Sequence, residues 1–291
     1  MVGSPMCRLF GLLGNGGTPA EPWLVGTDRC LLNQSNVSEV ERQPDGWGIG
    51  WFTERRVVRV EKGVGGASAP GEVERFRSAA RLAHGPLAIG HLRKASNPMG
   101  LPPERLTGLE NSQPFVHGST MFAHNGAIPF PRETRAFLGR YESNVVGVND
   151  SEVLFWLLVR HLDEAQDPVQ AYVRTVADLV RVWTEKGSPH EGPYSGLNVV
   201  FSRGPNELWA FCQYLGEHGP GLLDRDRPYY QMAYLADSKQ LLVGSEPFDS
   251  TRKDWRALSN GEYLYAQATH GLVALKTGPI PVPMVPPVPR R

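Results

Sequence analysis

The sequence predicts an α+β domain in which two β-sheets lie between layers of helix. Two strand-rich stretches flank a helical centre. Within that centre, Val153-Leu-Phe-Trp-Leu-Leu-Val159 is so uniformly apolar that a helix made from it must be buried. No internal repeat and no linker-like composition interrupts residues 7–276, so the elements belong to one domain.

Taken in order, residues 7–14 alternate loosely and end in Gly14-Asn15-Gly16-Gly17, a strand closed by a turn. Thr18 to about Asn33 is expected as a helix, with Pro19 suited to its first turn. Asp45-Gly46-Trp47-Gly48-Ile49-Gly50-Trp51-Phe52 reads as a strand. Its three alternate glycines strip one face of side chains and let another backbone or a ligand approach. The spacing is not that of a phosphate loop, and no Lys-Ser/Thr follows. A strand at 56–62 and a helix at about 70–84 lead into an apolar strand that ends in His91-Leu-Arg93-Lys-Ala-Ser96.

A Pro- and Gly-rich loop at 97–112 precedes a short strand ending Ala123-His124-Asn125-Gly126. Asn-Gly ordinarily marks a hairpin turn, but Pro129 and Pro131 spoil the alternation that the returning strand needs. Asn149 with Glu152 forms a candidate capping box. Asp150 would then open the helix with its carboxylate projecting from the helix mouth. A second helix is expected over 168–186 and strands over 197–202, 207–213, 231–236, 241–243, 263–266 and 272–275. Residues 277–291 form a proline-rich flexible tail that cannot join a central sheet.

Thirty basic and thirty acidic residues cancel with no block of like charge, so composition points to no nucleic-acid or anionic-membrane partner. No apolar run approaches the ~18 residues of a membrane span. The opening MVGSPMCRLF lacks the basic and apolar regions of a secretory signal. Three cysteines, Cys7, Cys30 and Cys212, are odd in number and unpatterned. They favour a cytoplasmic protein over a disulfide framework or a zinc cluster. No metal or other cofactor is expected.

Met6-Cys7 carries the chemistry. Met aminopeptidases remove Met before small residues, which would leave Cys7 holding nucleophile and base together. A free thiol titrates near ~8.5 and an α-amine near ~7.7–8.0, so at neutral pH the amine is partly unprotonated beside Sγ. The alternative is a small buried hydrophobe opening a strand.

Five ordered segments choose between these: Cys7-Arg-Leu-Phe-Gly11, Asp45-Gly-Trp-Gly-Ile49, His91-Leu-Arg93-Lys-Ala-Ser96, Ala123-His-Asn125-Gly126 and Asn149-Asp150-Ser-Glu152. Together they resemble the class II glutamine amidotransferases, the N-terminal-nucleophile group. The likeness is greatest to the stand-alone glutamine amidotransferase-like proteins and the γ-glutamyl hydrolase of ergothioneine synthesis. The resemblance implies a four-layer αββα N-terminal-nucleophile hydrolase fold and one glutamine amidotransferase domain over 7–276. Residues 1–6 would be a leader, removed or untranslated.

The resemblance also implies roles. Cys7 would attack the side-chain amide of glutamine to form a γ-glutamyl thioester, with its own amine as base. Asn125 and Gly126 would form the oxyanion hole, Arg93 would clamp the α-carboxylate, and Asp150 would pair with the α-ammonium. Ser96, Gly46, Trp47 and His124 would line the substrate pocket. In this family's chemistry His91 and His124 are expected to be structural, and no metal-ligand spacing such as HExxH occurs. The expected function is a cysteine amidohydrolase releasing ammonia from glutamine, with a separate synthase subunit as one recipient. Two other readings are a hydrolase of larger γ-glutamyl amide conjugates and a catalytically silent γ-glutamyl-binding subunit.

Overall fold

The computed structural model describes residues 7–38, 41–186, 192–216 and 218–282. The leader expected at 1–6 and the tail beyond 282 lie outside them. The strands, in chain order, are β1 (Arg8–Pro19), β2 (Trp47–Phe52), β3 (Val58–Gly63), β4 (His84–Leu92), β5 (Phe115–His117), β6 (Thr120–Gly126) and β7 (Leu197–Ser202). They continue as β8 (Glu207–Cys212), β9 (Met232–Ala236), β10 (Gln240–Gly244), β11 (Arg256–Leu258), β12 (Glu262–Thr269) and β13 (Leu272–Pro279). One sheet runs β11-β9-β10-β1-β4-β2-β3 and the other β13-β12-β8-β7-β6-β5. Neighbours pair antiparallel throughout.

β1 sits in the middle of its sheet because it is apolar on both faces. Leu9 and Leu13 point between the sheets, with Val200, Leu208 and Val243 around them. Phe10 and Leu12 point outward beneath Leu24, Phe76 and Ala79. The helices Asp150–Ala165 and Pro168–Glu185 cover the second sheet through Phe155, Leu158, Tyr172 and Val176. The result is four layers, helix on sheet on sheet on helix. No described helix is long and apolar enough to cross a membrane.

The alternate glycines of β2 do admit another backbone. A Cβ on Gly48 would lie 2.1 Å from the Gln113 carbonyl oxygen. This contact brings the segment before β5 down onto β2 and draws the sheets together beside the site.

The helix expected over 18–33 does not form. β1 continues to Pro19, pairing with His84 and Gly85, and only a π-turn at Pro22–Gly26 and one helical turn at Leu31–Gln34 follow. Pro22 removes an amide donor that a helix begun at Thr18 would need. The Asn125-Gly126 pair makes no hairpin; the β5–β6 turn is at Gly118, whose φ of +58° suits glycine. The expected tail boundary at 276 falls inside β13, which pairs with β12 as far as Pro279. That strand is a sheet edge, where a proline is tolerated. The short strands β5 and β11 had no signal strong enough to be expected.

Leu157 is fully buried in the helix Asp150–Ala165, in the cluster that seats this helix on the second sheet. Leu157→Ala should cost about 2–5 kcal/mol, read as a lower denaturant midpoint at unchanged slope.

Candidate active site

Cys7 immediately precedes β1, held by the sheet on one side and by the second sheet on the other. Two residues on, the Leu9 amide donates to Ser245 Oγ at 3.0 Å, and the Ser245 amide returns a bond to the Leu9 carbonyl at 3.2 Å. This pair extends the β1–β10 ladder to the strand's first turn of register. The Cys7 backbone nitrogen donates to Asn125 Oδ1 at 3.0 Å, a bond across the sheet interface. Sγ rests on the Lys94 main chain, donating to its carbonyl at 3.5 Å and accepting from its amide at 3.4 Å. Burial pushes the thiol up to about 11, against smaller lowering effects from the Lys94 amide and the Arg93 charge.

Asn125 lies at the end of β6, with its side chain buried. Its Nδ2 is shielded from solvent and has no hydrogen-bond partner among the described residues. A buried donor left open beside a nucleophile is the arrangement an oxyanion needs. Gly126 follows at φ +150°, where a Cβ would fall 1.9 Å from the Gly196 carbonyl oxygen. Gly196 in turn lies under the Tyr230 ring, which a Cβ would meet at 2.6 Å. Ser195 Oγ contacts the Tyr230 hydroxyl at 3.1 Å and accepts from the Ala127 amide at 3.1 Å. The turn after Asn125 is thus fixed from beneath.

Two opposite charges flank the cysteine. Arg93 is 3% exposed; its Nη1 donates to the main-chain carbonyls of Asp45 at 3.1 Å and Leu106 at 2.8 Å. With Nη1 engaged twice, the Nε–Nη2 edge is the one suited to a carboxylate. Asp150 is 2% exposed, and its two oxygens accept from Ser96 Oγ at 3.0 Å and the Ile128 amide at 2.9 Å. Asn149 caps the helix by accepting from the Ser151 amide at 2.9 Å. The expected reciprocal bond from Glu152 is absent. Its carboxylate instead accepts from the Val146 and Gly147 amides at 2.9 and 2.7 Å, tying the incoming loop to the helix.

The chain's similarities agree with this arrangement. A family model described as glutamine amidotransferases class-II matches residues 6–264. The chain belongs to the class II glutamine amidotransferases. Among solved structures it is similar to a glutamine aminotransferase class-II domain protein from Silicibacter pomeroyi, at 20% identity and TM-score 0.63. That match covers 94% of this chain and 99% of the other. It is also similar to the glutamine phosphoribosylpyrophosphate amidotransferase of B. subtilis, solved with ADP and GMP, at 18% identity and TM-score 0.56. That match covers 96% of this chain and 50% of the other. No curated protein sequence matches. Members of the family use glutamine, and the two solved structures share this chain's fold.

In this class II amidotransferase the structure brings Cys7, Asn125, Arg93, Asp150 and Ser96 together. Ser96 joins the group through its hydrogen bond to Asp150. Gly46 adjoins Arg93, whose amide donates to the Gly46 carbonyl at 2.8 Å.

Two expected pocket residues sit elsewhere. Trp47 points into the outer core, edge-on to Phe76, with its indole N–H on Glu72 at 2.8 Å. His124 uses both ring nitrogens internally, on Ser151 Oγ at 2.9 Å and the Gly196 carbonyl at 3.0 Å, so neither is free for substrate. No metal-binding cluster occurs among the described residues. No local signal marks Ser245 or Tyr230, which are joined to the site only by folding.

Gly126→Ala should lower stability by at least about 2 kcal/mol, since strain and a backbone collision combine at a position only glycine satisfies. Thermal denaturation measures it. The raised thiol also fixes a pH dependence. The thiolate reacts, so at pH 7 only about one Cys7 in ten thousand is primed in the unprocessed chain. Iodoacetamide labelling of Cys7 should therefore rise about tenfold per pH unit towards pH 11, followed by peptide mass mapping.

Proposed function

We propose that the protein is a cysteine amidohydrolase that releases ammonia from glutamine through a γ-glutamyl thioester. The observation that carries this reading is the meeting of Cys7 and Asn125. One side-chain amide accepts from the nucleophile's own nitrogen and holds an unpartnered buried donor beside the same residue.

The sequence of events follows from the charges. Arg93 takes the α-carboxylate through its Nε–Nη2 edge, and Asp150 takes the α-ammonium. The γ-amide then lies against Sγ with its oxygen towards Asn125 Nδ2 and the Gly126 amide. Sγ forms its bond to the carbonyl carbon of the side-chain amide as its proton passes to the Cys7 amine, which returns it to the nitrogen as the carbon–nitrogen bond breaks and ammonia departs. Water, deprotonated by the same amine, cleaves the thioester and releases glutamate.

In this reading the base is the amine. A thiol near 11 surrenders its proton to an ordinary α-amine at a cost of about 4 kcal/mol. His91 is held down to about 3 by burial, Arg93 and His124, and the same transfer to it would cost on the order of 10 kcal/mol. A peptide nitrogen at Cys7 is not basic, so the working chain begins at Cys7, through initiation at Met6 or trimming of 1–6. Freed as an amine, that nitrogen can keep its bond to Asn125 Oδ1 and turn a lone pair towards Sγ.

The test is glutamate release from glutamine by protein whose intact mass starts at Cys7. Cys7→Ala should abolish it, and Asn125→Ala should lower kcat by roughly 10²–10³-fold. Arg93→Lys should raise KM at least about tenfold, since a point charge replaces a planar fork. An electrophilic glutamine analogue should label Cys7 and spare Cys30 and Cys212. Activity in protein that retains Met1–Met6 would refute the amine mechanism. Binding of glutamine without turnover in processed protein would make the chain a silent γ-glutamyl-binding subunit.

A further inference from the structure

A cavity of about 200 Å³ opens beside the start of the helix Asp150–Ala165. None of Cys7, Arg93, Asn125 and Asp150 lines it, so the chemistry leaves it unused. Met99, Leu101 and Val153 make part of an apolar wall, and Arg105, Arg132 and Arg135 stand around it.

No carboxylate residue lines the cavity. Arg135 shares its charge with Glu142 at 3.6 Å. Arg105 and Arg132 are exposed and make no ion pair among the described residues. Glu133, next to Arg132 in the chain, is taken by Lys186 at 3.1 Å. Both arginines are therefore free to turn their guanidinium groups onto a ligand. Two such cations over an apolar wall match a dianion carried on an apolar body. A phosphate monoester bears close to two negative charges at neutral pH, where a carboxylate bears one. Arginine also meets phosphate with a two-pronged fork. The volume lies below the ~300–1,000 Å³ of sites that hold drug-sized ligands, so the body is small.

Each wall of the cavity runs into a residue that holds the glutamyl clamp. Arg105 precedes Leu106, whose carbonyl accepts from Arg93 Nη1 at 2.8 Å. Pro131 lies just after Ile128, whose amide donates to Asp150 at 2.9 Å. Val148 and Asn149, also in the lining, lead directly into Asp150. Buried Asn111 ties two of these walls together. Its Oδ1 accepts from the Val148 amide at 2.8 Å and its carbonyl accepts from Asn149 Nδ2 at 2.7 Å. Its Nδ2 donates to the Arg105 carbonyl at 3.5 Å. A ligand that draws the walls together therefore fixes Arg93 and Asp150 in relation to each other.

We propose that this cavity is a regulatory site for a small phosphate monoester with an apolar body, and that filling it tightens the grip on the glutamyl head. This rests on the Arg93–Asp150 clamp of the glutaminase reading above and adds regulation to that site.

The probe is phenyl phosphate, titrated calorimetrically into protein that begins at Cys7, with and without saturating glutamate. Glutamate keeps the amino-acid head and is not turned over. One phenyl phosphate should bind per chain, at least about tenfold tighter than inorganic phosphate, which lacks the ring, or benzoate, which lacks the second charge. Glutamate should bind at least about fivefold tighter in its presence, and linkage requires the same factor in reverse. Arg105→Gln and Arg132→Gln, both at exposed positions, should each weaken phenyl phosphate about tenfold and remove its effect on glutamate. Absence of saturable phenyl phosphate binding overturns the site, as does binding that survives both substitutions. Benzoate binding as tightly overturns the assignment to phosphate. Phenyl phosphate binding without effect on glutamate overturns the regulatory role. Each of these results leaves glutamine hydrolysis, assayed separately, as it was. Failure of glutamate itself to bind overturns the clamp, and the reading above with it.

Discussion

The site depends on one bond, from the Cys7 nitrogen to Asn125 Oδ1 at 3.0 Å. Its two residues belong to different sheets, so it exists only when the sheets are stacked in one register. The close stacking comes from missing side chains as much as from apolar ones. A Cβ on Gly11 would meet Val200 at 2.8 Å, and one on Gly48 would meet the Gln113 carbonyl. Interiors packed to crystal-like density transmit such constraints over long distances. Here they fix a sulfur, a nitrogen and an amide in relation to one another.

A second feature is how many charges are kept out of water. Arg8, Arg93 and Asp150 are nearly or fully buried. Asp150 is satisfied by a hydroxyl and an amide, and Arg93 is partly satisfied by carbonyls, so both are orientated before any ligand arrives. Neutral dipoles can hold a buried charge in place without cancelling it. That leaves full electrostatic strength for a zwitterion.

Much of this was legible in the sequence. Strands β7, β8 and β12 announce themselves by apolar runs bounded by turn residues, and the helix at Asp150 by its cap and its apolar body. Cys7, Arg93, Asn125 and Asp150 fall in the ordered segments that carry the family resemblance. Trp47 lies away from the pocket expected of it because of the strand period: with Gly46 and Gly48 facing inward, the residue between them faces outward. His124 looked available because no local pattern reveals that Ser151 and Gly196 occupy its ring. The 18–33 segment has helix-like apolar spacing, and its prolines prevail only because β4 offers β1 a longer ladder. Ser245 and Tyr229 could not be found locally, since they meet the start of the chain from more than two hundred residues away.

That separation has a consequence in time. The Leu9 amide waits for Ser245, 236 residues later, and β1 has only one flanking strand until β10 is made. At the ~5–20 residues per second of synthesis, the start of β1 stays without its full sheet for on the order of ten seconds or more. Contacts so distant in sequence also form late in folding. Under the amine mechanism proposed above, trimming at Cys7 would fall in this interval, before the last strands cover the start of β1.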